Sequence, residues 1–252
     1  WQEVESIAYD SSGTVALTGY IEDVVVLPGS AGESEDRVYY CVRRTINGST
    51  VRYLEKWALE NECVGETSNK QADSFVVFTN AAPTASIPAG TCSHLVGASV
   101  IVWADGKCLR DSNGDIAYFT VAADGGIAAL TNAGVAYSST TGVVGLHYRA
   151  RWKSAKLGQT LSKHKNVDHI AAILKDAHAQ GFKAGPDYDH MDALPLMYRS
   201  APVDVDTVYA EYDEESQEFP GTWDTDARVC LEANAPRPCT VLALVISGQV
   251  NG

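Results

Sequence analysis

The chain lacks a surplus of positive charge. Its 252 residues carry 19 Lys and Arg against 32 Asp and Glu, a formal net charge of −13. Gripping duplex DNA by phosphate neutralisation needs the opposite balance, so a DNA clamp is excluded as an expectation. Long apolar runs are also missing. The longest extends from about Thr240 to Ile246, far short of the ~20 residues that cross a bilayer as a helix. No positively charged start precedes an apolar stretch, so no signal peptide is expected. The chain opens at Trp1 without an initiator Met, so a processed or partial product is expected. None of the six cysteines (Cys41, Cys63, Cys92, Cys108, Cys230, Cys239) forms a CxxC pair, which removes support for a zinc ribbon or a redox motif. An even count permits three disulfides, but several sit in apolar strand-like runs and read as buried thiols. GxSxG, HExxH, GxGxxG and P-loop strings are absent, so no residue pattern asks for an enzyme, a cofactor or a metal.

With 45% hydrophobic and 20% charged residues the composition is that of an ordinary globular chain. Strand signals dominate. Tyr20 to Leu27 is β-branched and closed by Pro28-Gly29. Asn47-Gly48 is the preferred pair for a two-residue type I′ turn. It fixes a register in which Ile46 faces Ser49, Arg44 faces Val51, Val42 faces Tyr53 and Val38 faces Trp57. One face then holds Val38, Tyr40, Val42, Tyr53 and Trp57 as a core ladder. The other, with Arg43, Arg52 and Lys56, faces solvent or an acidic neighbour.

Glu60 to Asp73 reads as a linker, Ser74 to Phe78 as a brief strand, and Ala81 to Gly90 as a domain boundary. Strands over 98–103, 116–121, 127–130 and 142–152 read as a small antiparallel barrel or sandwich. Residues 167–177 fit a helix by apolar spacing, while Gly181 and Gly185 around Phe182-Lys183-Ala184 favour a hairpin. On pattern alone both stay open. Residues 227–233 and 239–246 read as core strands around Pro236-Arg237-Pro238. The fold class is therefore mainly β with antiparallel sheets. The expected domains are 1–85, 86–153, and a C-terminal β-rich 154–252 that contains an acidic stretch.

Three constellations carry possible chemistry. Asp187, Asp189, His190 and Asp192 could hold a divalent ion, but their spacing departs from the Ca²⁺ loop and fits an Asp-capped turn. Nine acids between Asp204 and Asp226 have no base among them. With Tyr212, Phe219 and Trp223 they make a thin case for a paired-carboxylate glycosidase, against the more usual solvated surface. Arg149, Arg151, Lys153, Lys156, Lys163 and Lys165 fall in one acid-free interval and could meet an acidic surface on another domain or another copy. The interface candidates are Arg149, Arg151, Lys153, Lys156, Asp213, Glu214 and Glu215. Cys92 and His94 supply too few ligands for a metal, and His164, His169 and His178 are scattered.

The strings IEDVVVLPG and DRVYYCVRRTINGSTVRYLEKWA resemble the late part of tail nozzle proteins of short-tailed bacteriophages, also called tail tubular or stabilisation proteins. VGASVIVWADGK, VGLHYRARWKSAKL, VDHIAAILKDAHAQGFKAGPDYDHMD and EFPGTWDTDARVCLEANAPRPCTVLALV follow in the same order, so the resemblance runs from about Tyr20 to the C-terminus. It implies a virion structural protein with no catalytic residues. Six copies would form a ring below the tail adaptor, near the fibre or spike proteins, through which the genome is held and ejected. It implies that residues 1–85 end a propeller-like platform, and it moves 167–177 toward strand. A conduit should not bind DNA tightly, which suits a net negative chain. Part of the Asp204–Asp226 run should then line the lumen or a subunit seam, with Arg149, Arg151 and Lys153 near an interface. The alternative is a receptor- or glycan-binding module of a tail spike or fibre, or a glycan-cleaving one.

Overall fold

The computed structural model describes residues 4, 6–29, 35–59, 63, 69–158 and 162–251, with the side chains of 214 and 215 excepted. The chain is mainly β, built from several antiparallel sheets, with no closed barrel among the described residues. It divides into two compact units, Trp1–Tyr148 and Arg149–Gly252.

The strands of the first unit are β1 (Ser6–Tyr9), β2 (Val15–Leu27), β3 (Arg37–Ile46), β4 (Ser49–Lys56), β5 (Asp73–Thr84), β6 (Ser99–Ala104), β7 (Lys107–Cys108), β8 (Tyr118–Thr120), β9 (Thr131–Asn132), β10 (Val135–Ala136) and β11 (Ser139–Leu146). One sheet runs β1-β2-β3-β4, and a second runs β5-β11-β6-β7 with β8 on β6. The hairpin of β3 and β4 has the register its turn dictates, from Ile46↔Ser49 through Val42↔Tyr53. Asn47 and Gly48 both take positive φ, 48° and 75°, as a type I′ turn requires. Asp105-Gly106 repeats the device between β6 and β7, at 47° and 81°.

The core of this unit joins Ala8 and Ile46 to Phe78, Ile87, Leu95, Val102, Phe119 and Leu146. The expected boundary at 81–90 therefore crosses a shared core. β5 is longer than the brief strand expected because Thr84 still pairs with Ser139 on β11, and Ile87 bridges Ile127. Residues 127–130 supply only that bridge, since the chain turns there to bury Ile127 and Leu130. The linker expected over 60–73 lies mostly outside the described residues.

The core ladder read from the hairpin is covered only near its turn. Val42 is buried at 2% exposure, whereas Trp57 is 42% exposed and Val24 and Val26 beside it are exposed. Along β3 the same parity that buries Val42 also buries Arg44, at 1% exposure. Arg44 bonds Glu55 on β4, Asp73 on β5 at 2.9 Å and the Ser6 hydroxyl on β1 at 2.6 Å. One guanidinium thus ties the two sheets of the unit. Burial works against its charge, but the two carboxylates outweigh that and raise its pKa. Asp73 is pushed up by burial in spite of Arg44. On the opposite face Glu22 accepts from Arg43 at 2.8 Å and from Arg52 at 2.7 Å, the acidic neighbour that the positive face called for.

The second unit holds β12 (Arg149–Lys153), β13 (Lys165–His178), β14 (Phe182–Gly185), β15 (Asp192–Leu194), β16 (Met197–Tyr198), β17 (Ala201–Pro202), β18 (Val208–Glu218), β19 (Cys230–Asn234) and β20 (Thr240–Val250). Its sheets run β12-β19-β14-β15 and β18-β13-β20, with a β16-β17 pair. Residues 167–177 are strand. β14 does not return on β13 as a hairpin would. It joins β19 and β15, and at Gly181 the chain passes so close to the His178 and Pro238 carbonyls that a side chain would not fit. The core gathers Ile170, Ala172, Leu174, Phe182, Leu194, Tyr212, Phe219 and Val229.

Replacing Arg44 by Leu removes the cation and leaves Glu55 and Asp73 facing each other without compensation. Urea unfolding followed by circular dichroism should show a loss of roughly 3–5 kcal/mol, against ~0.5 kcal/mol or less for Arg52→Leu on the solvated face.

Candidate functional site

The interface candidates fall on two different sheets of the second unit. Arg149, Arg151 and Lys153 take alternate positions of β12 and so share one face, opposite Asn234, Glu232 and Cys230 of β19. Lys156 follows the strand and is half-buried. Asp213 is exposed on β18, the strand that also contains Glu214 and Glu215, whose side chains lie outside the described residues. β12 and β18 thus lie in separate sheets of one copy, but the two stretches meet where Lys165 on β13 pairs with Asp224.

Arg151 is committed to its own sheet. Its Nε donates to Glu232 at 2.7 Å, and its guanidinium lies 4.6 Å from the centre of the Tyr188 ring. Glu232 is 5% exposed and also accepts from Asn234 at 3.1 Å. Burial opposes its ionisation, but the bonds from Arg151 and Asn234 and the charges of Arg151 and Arg149 prevail and lower its pKa. Glu232 was not picked out by sequence. Alternation with Leu231 and Ala233 gives it the face of Cys230 and Asn234, and the β12–β19 register sets it opposite Arg151. Lys165 is likewise buried, with its Nζ donating to the Lys163 carbonyl at 3.0 Å.

Only the middle of the acidic stretch is strand: β18 contains Glu211, Asp213, Glu214, Glu215 and Glu218, while Asp204, Asp206, Asp224 and Asp226 lie outside it. Asp204, Glu211, Asp213, Glu218, Asp224 and Asp226 are all exposed. Its aromatics do not gather beside them. Tyr212 is fully buried, donating to the Met197 carbonyl at 2.8 Å, and Phe219 belongs to the core. Only Trp223 of the three is exposed, at 47%. The stacking surface a sugar site needs is therefore reduced to one ring, because alternation along β18 sends Tyr212 inward.

An open cavity of about 490 Å³ lies between the 186–190 loop and the 219–228 loop, lined by Lys153, Asp187, His190, Phe219, Asp224 and Arg228 among others. Its charged groups largely satisfy one another. Asp187 accepts from His190 Nδ1 and from the His190 and Asp189 amides, each at 2.9 Å. The His190 bond comes first among the causes that lower its pKa. This is the Asp-capped turn. Asp226 accepts from Arg228 at 2.8 Å. Among the described residues no three His, Cys, Asp or Glu side chains are grouped to hold a metal.

Several other histidines sit in packing contacts. His94 Nε2 meets the Ser74 carbonyl at 2.9 Å, and its ring sits edge-on to Tyr53. His147 bonds the Tyr118 hydroxyl at 2.7 Å, and buried His178 meets the Ala179 carbonyl. The six cysteines are free thiols: Cys92, Cys108 and Cys230 are buried, while Cys41, Cys63 and Cys239 are half-buried. Burial pushes Cys92 up to about 11 and Cys239 up to about 12.

No protein-family model matches the chain, and a search of the curated proteins found no relative.

Two predictions follow from these groups. Because the folded pKa of Glu232 is depressed, its stabilisation is present above the unfolded glutamate range and is lost as pH falls through the folded value. The wild-type urea midpoint should drop between pH 7 and pH 3 by more than that of Glu232→Gln, which cannot titrate. At pH 8, a thiol with a pKa near 11 is thiolate in about one molecule per thousand. Cys92 and Cys239 should therefore stay unmodified by iodoacetamide in the folded chain and be alkylated in urea, as read by peptide mass spectrometry.

Proposed function

We propose that the chain is a structural component of a phage tail, part of a nozzle or tubular ring in the virion that holds the genome and conducts it during ejection. It is assembled in the host cytoplasm and has no catalytic role. The observation that carries this reading is the acidic stretch. Its middle, β18, stands at the margin of a sheet with Glu211, Asp213 and Glu218 exposed, while Asp224 meets the basic stretch through its backbone pair with Lys165. A surface that must let a polyanion pass benefits from charge of the same sign and from few phosphate contacts. The ordered strings from Tyr20 onward support the family, and the mainly β fold agrees with it. In this reading residues 1–85 belong to a propeller-like platform, six copies form the ring, and the adaptor and fibre or spike proteins are its neighbours. The exposed apolar end of the first sheet, with Val24, Val26, Leu54 and Trp57, is surface available for such neighbours.

Electron microscopy and light scattering of the purified chain test this. A closed ring with sixfold symmetry is the expected particle. It should show no saturable binding of duplex DNA at 150 mM salt by fluorescence anisotropy. A trimer or monomer that binds or cleaves host polysaccharide would overturn the proposal and favour the tail-spike alternative. Arg151→Glu is a poor probe of assembly, because it sets a second acid against buried Glu232. Lys153→Glu and Lys156→Glu leave that pair intact and should weaken the ring without lowering the thermal midpoint.

A further inference from the structure

The sheet β18-β13-β20 has two long outer strands of 11 residues each. Both pair antiparallel with β13, so they run in the same direction at opposite edges. Among the described residues no strand pairs with the outer side of either.

The two edges differ in chemistry. β20, with the sequence TVLALVISGQV, has no charge and no proline. It exposes Leu242 at 60%, Val245 at 47% and Val250 at 56%. Of the usual guards against pairing with another chain it lacks charge, proline and shortness, and it has one bulge, where Leu242 is the extra residue between Val241 and Ala243. β18 is guarded: Glu211, Asp213, Glu214, Glu215 and Glu218 lie along it. Two β18 edges side by side would oppose like charges at ladder spacing. Two β20 edges could pair, but every copy would then leave its β18 unsatisfied.

We propose that β20 of one copy pairs with β18 of the next, as parallel neighbours in a continuous sheet that passes from subunit to subunit. This rests on the ring reading above and names the contact that makes the ring. A rotation axis along the strands preserves their direction, which makes the new pair parallel. One head-to-tail contact then satisfies both edges, and it closes when the rotation closes. With six copies the three-stranded sheets make a cylinder of about 18 strands, in the size class that leaves an aqueous channel.

The two faces of the sheet are already distinguished. Ile170, Ala172, Leu174 and Tyr212 point into the core of the unit. The other face carries His169 opposite Glu218, Ala171 between Ser216 and Val245, and Lys175 opposite Glu211. That second face becomes the channel wall, with acid beside every base. The carboxylates of β18 then stand next to the uncharged surface of β20, the combination that avoids repulsion between neighbours.

Val245 tests this with charge, since its side chain lies on the open face and leaves the core untouched. Val245→Glu sets an acid beside the acidic strand of the neighbour and should weaken ring assembly by at least about tenfold in mass photometry, less so at high salt. Val245→Lys should assemble as well as wild type or better. In assembled wild type, the amides of β18 and β20 should be protected from hydrogen exchange together. Rings that form equally with Glu and Lys, or rapid exchange along the β20 edge, would overturn this contact while leaving the ring itself standing. Equal disruption by both charges would point to β20 pairing with itself and also overturn it. Wild type that never forms a ring would sink the ring reading and this contact together.

Discussion

An open β-sheet has two edges, and each edge is a row of backbone donors and acceptors that no neighbour satisfies. This chain is mainly strand, and among its described residues none of its sheets closes on itself. The disposal of edges is therefore the constraint on which the rest depends. In the first unit β1 covers only the early part of β2, pairing Ser6 through Tyr9 with residues 15–19. From Tyr20 onward the outer side of β2 has no partner in its sheet, and after Glu22 and Asp23 the strand ends in the exposed apolar run Val24 to Leu27. In the second unit the same condition recurs at β18 and β20. A monomer in water would be expected to shorten, charge or bend such edges. β18 is charged along its length, whereas the last four residues of β2 and the whole of β20 are not.

Buried ions provide a second constraint, and the two units use them differently. Arg44 is enclosed in the first unit and touches Glu55, Asp73 and Ser6, so it joins β1, β4 and β5 to β3. A pair of this kind adds little net stability over apolar packing, but losing one member is costly. Its contribution is to exclude other registers of the two sheets, because a shift by one residue along β3 would send Arg44 to the face of Arg43. Arg151 and Glu232 lie nearer the surface and join adjacent strands of one sheet. There the aromatic face of Tyr188 limits how far the guanidinium can move.

The hairpin of β3 and β4 was legible in the sequence to the residue, because Asn-Gly admits one turn and the turn admits one register. Strand at 165–178 was not legible from spacing. Its apolar residues satisfy helical and extended periodicity together, and burial on both sides of Ile170–Ala172 removes the alternation that would decide. The end of β5 was misread for a related reason. Ala81-Ala82-Pro83 looks like a linker, yet it lies on a strand whose partner, Ser139, is distant in the chain. Arg44 and Glu232 were both within reach of parity. They were passed over because a charge in an alternating run is usually taken to face water. The surroundings that make them exceptions, Asp73 for one and Asn234 with Tyr188 for the other, come from elsewhere in the sequence.

Acidity has two physical ranges, and they act on different events. At ladder spacing, a few ångströms, the carboxylates of β18 disfavour a second acidic edge alongside, and salt relieves that repulsion only in part. Beyond about 8 Å in physiological salt, only the smoothed field remains, and it acts on a passing polyanion without regard to register. The net charge of −13 describes the second range, while the concentration of acids on one strand describes the first. Spreading the same carboxylates over both units would keep the field and lose the edge selectivity. The five acids of β18, beside an uncharged β20 of equal length, therefore suit a selective choice of edge as well as repulsion of a passing polyanion.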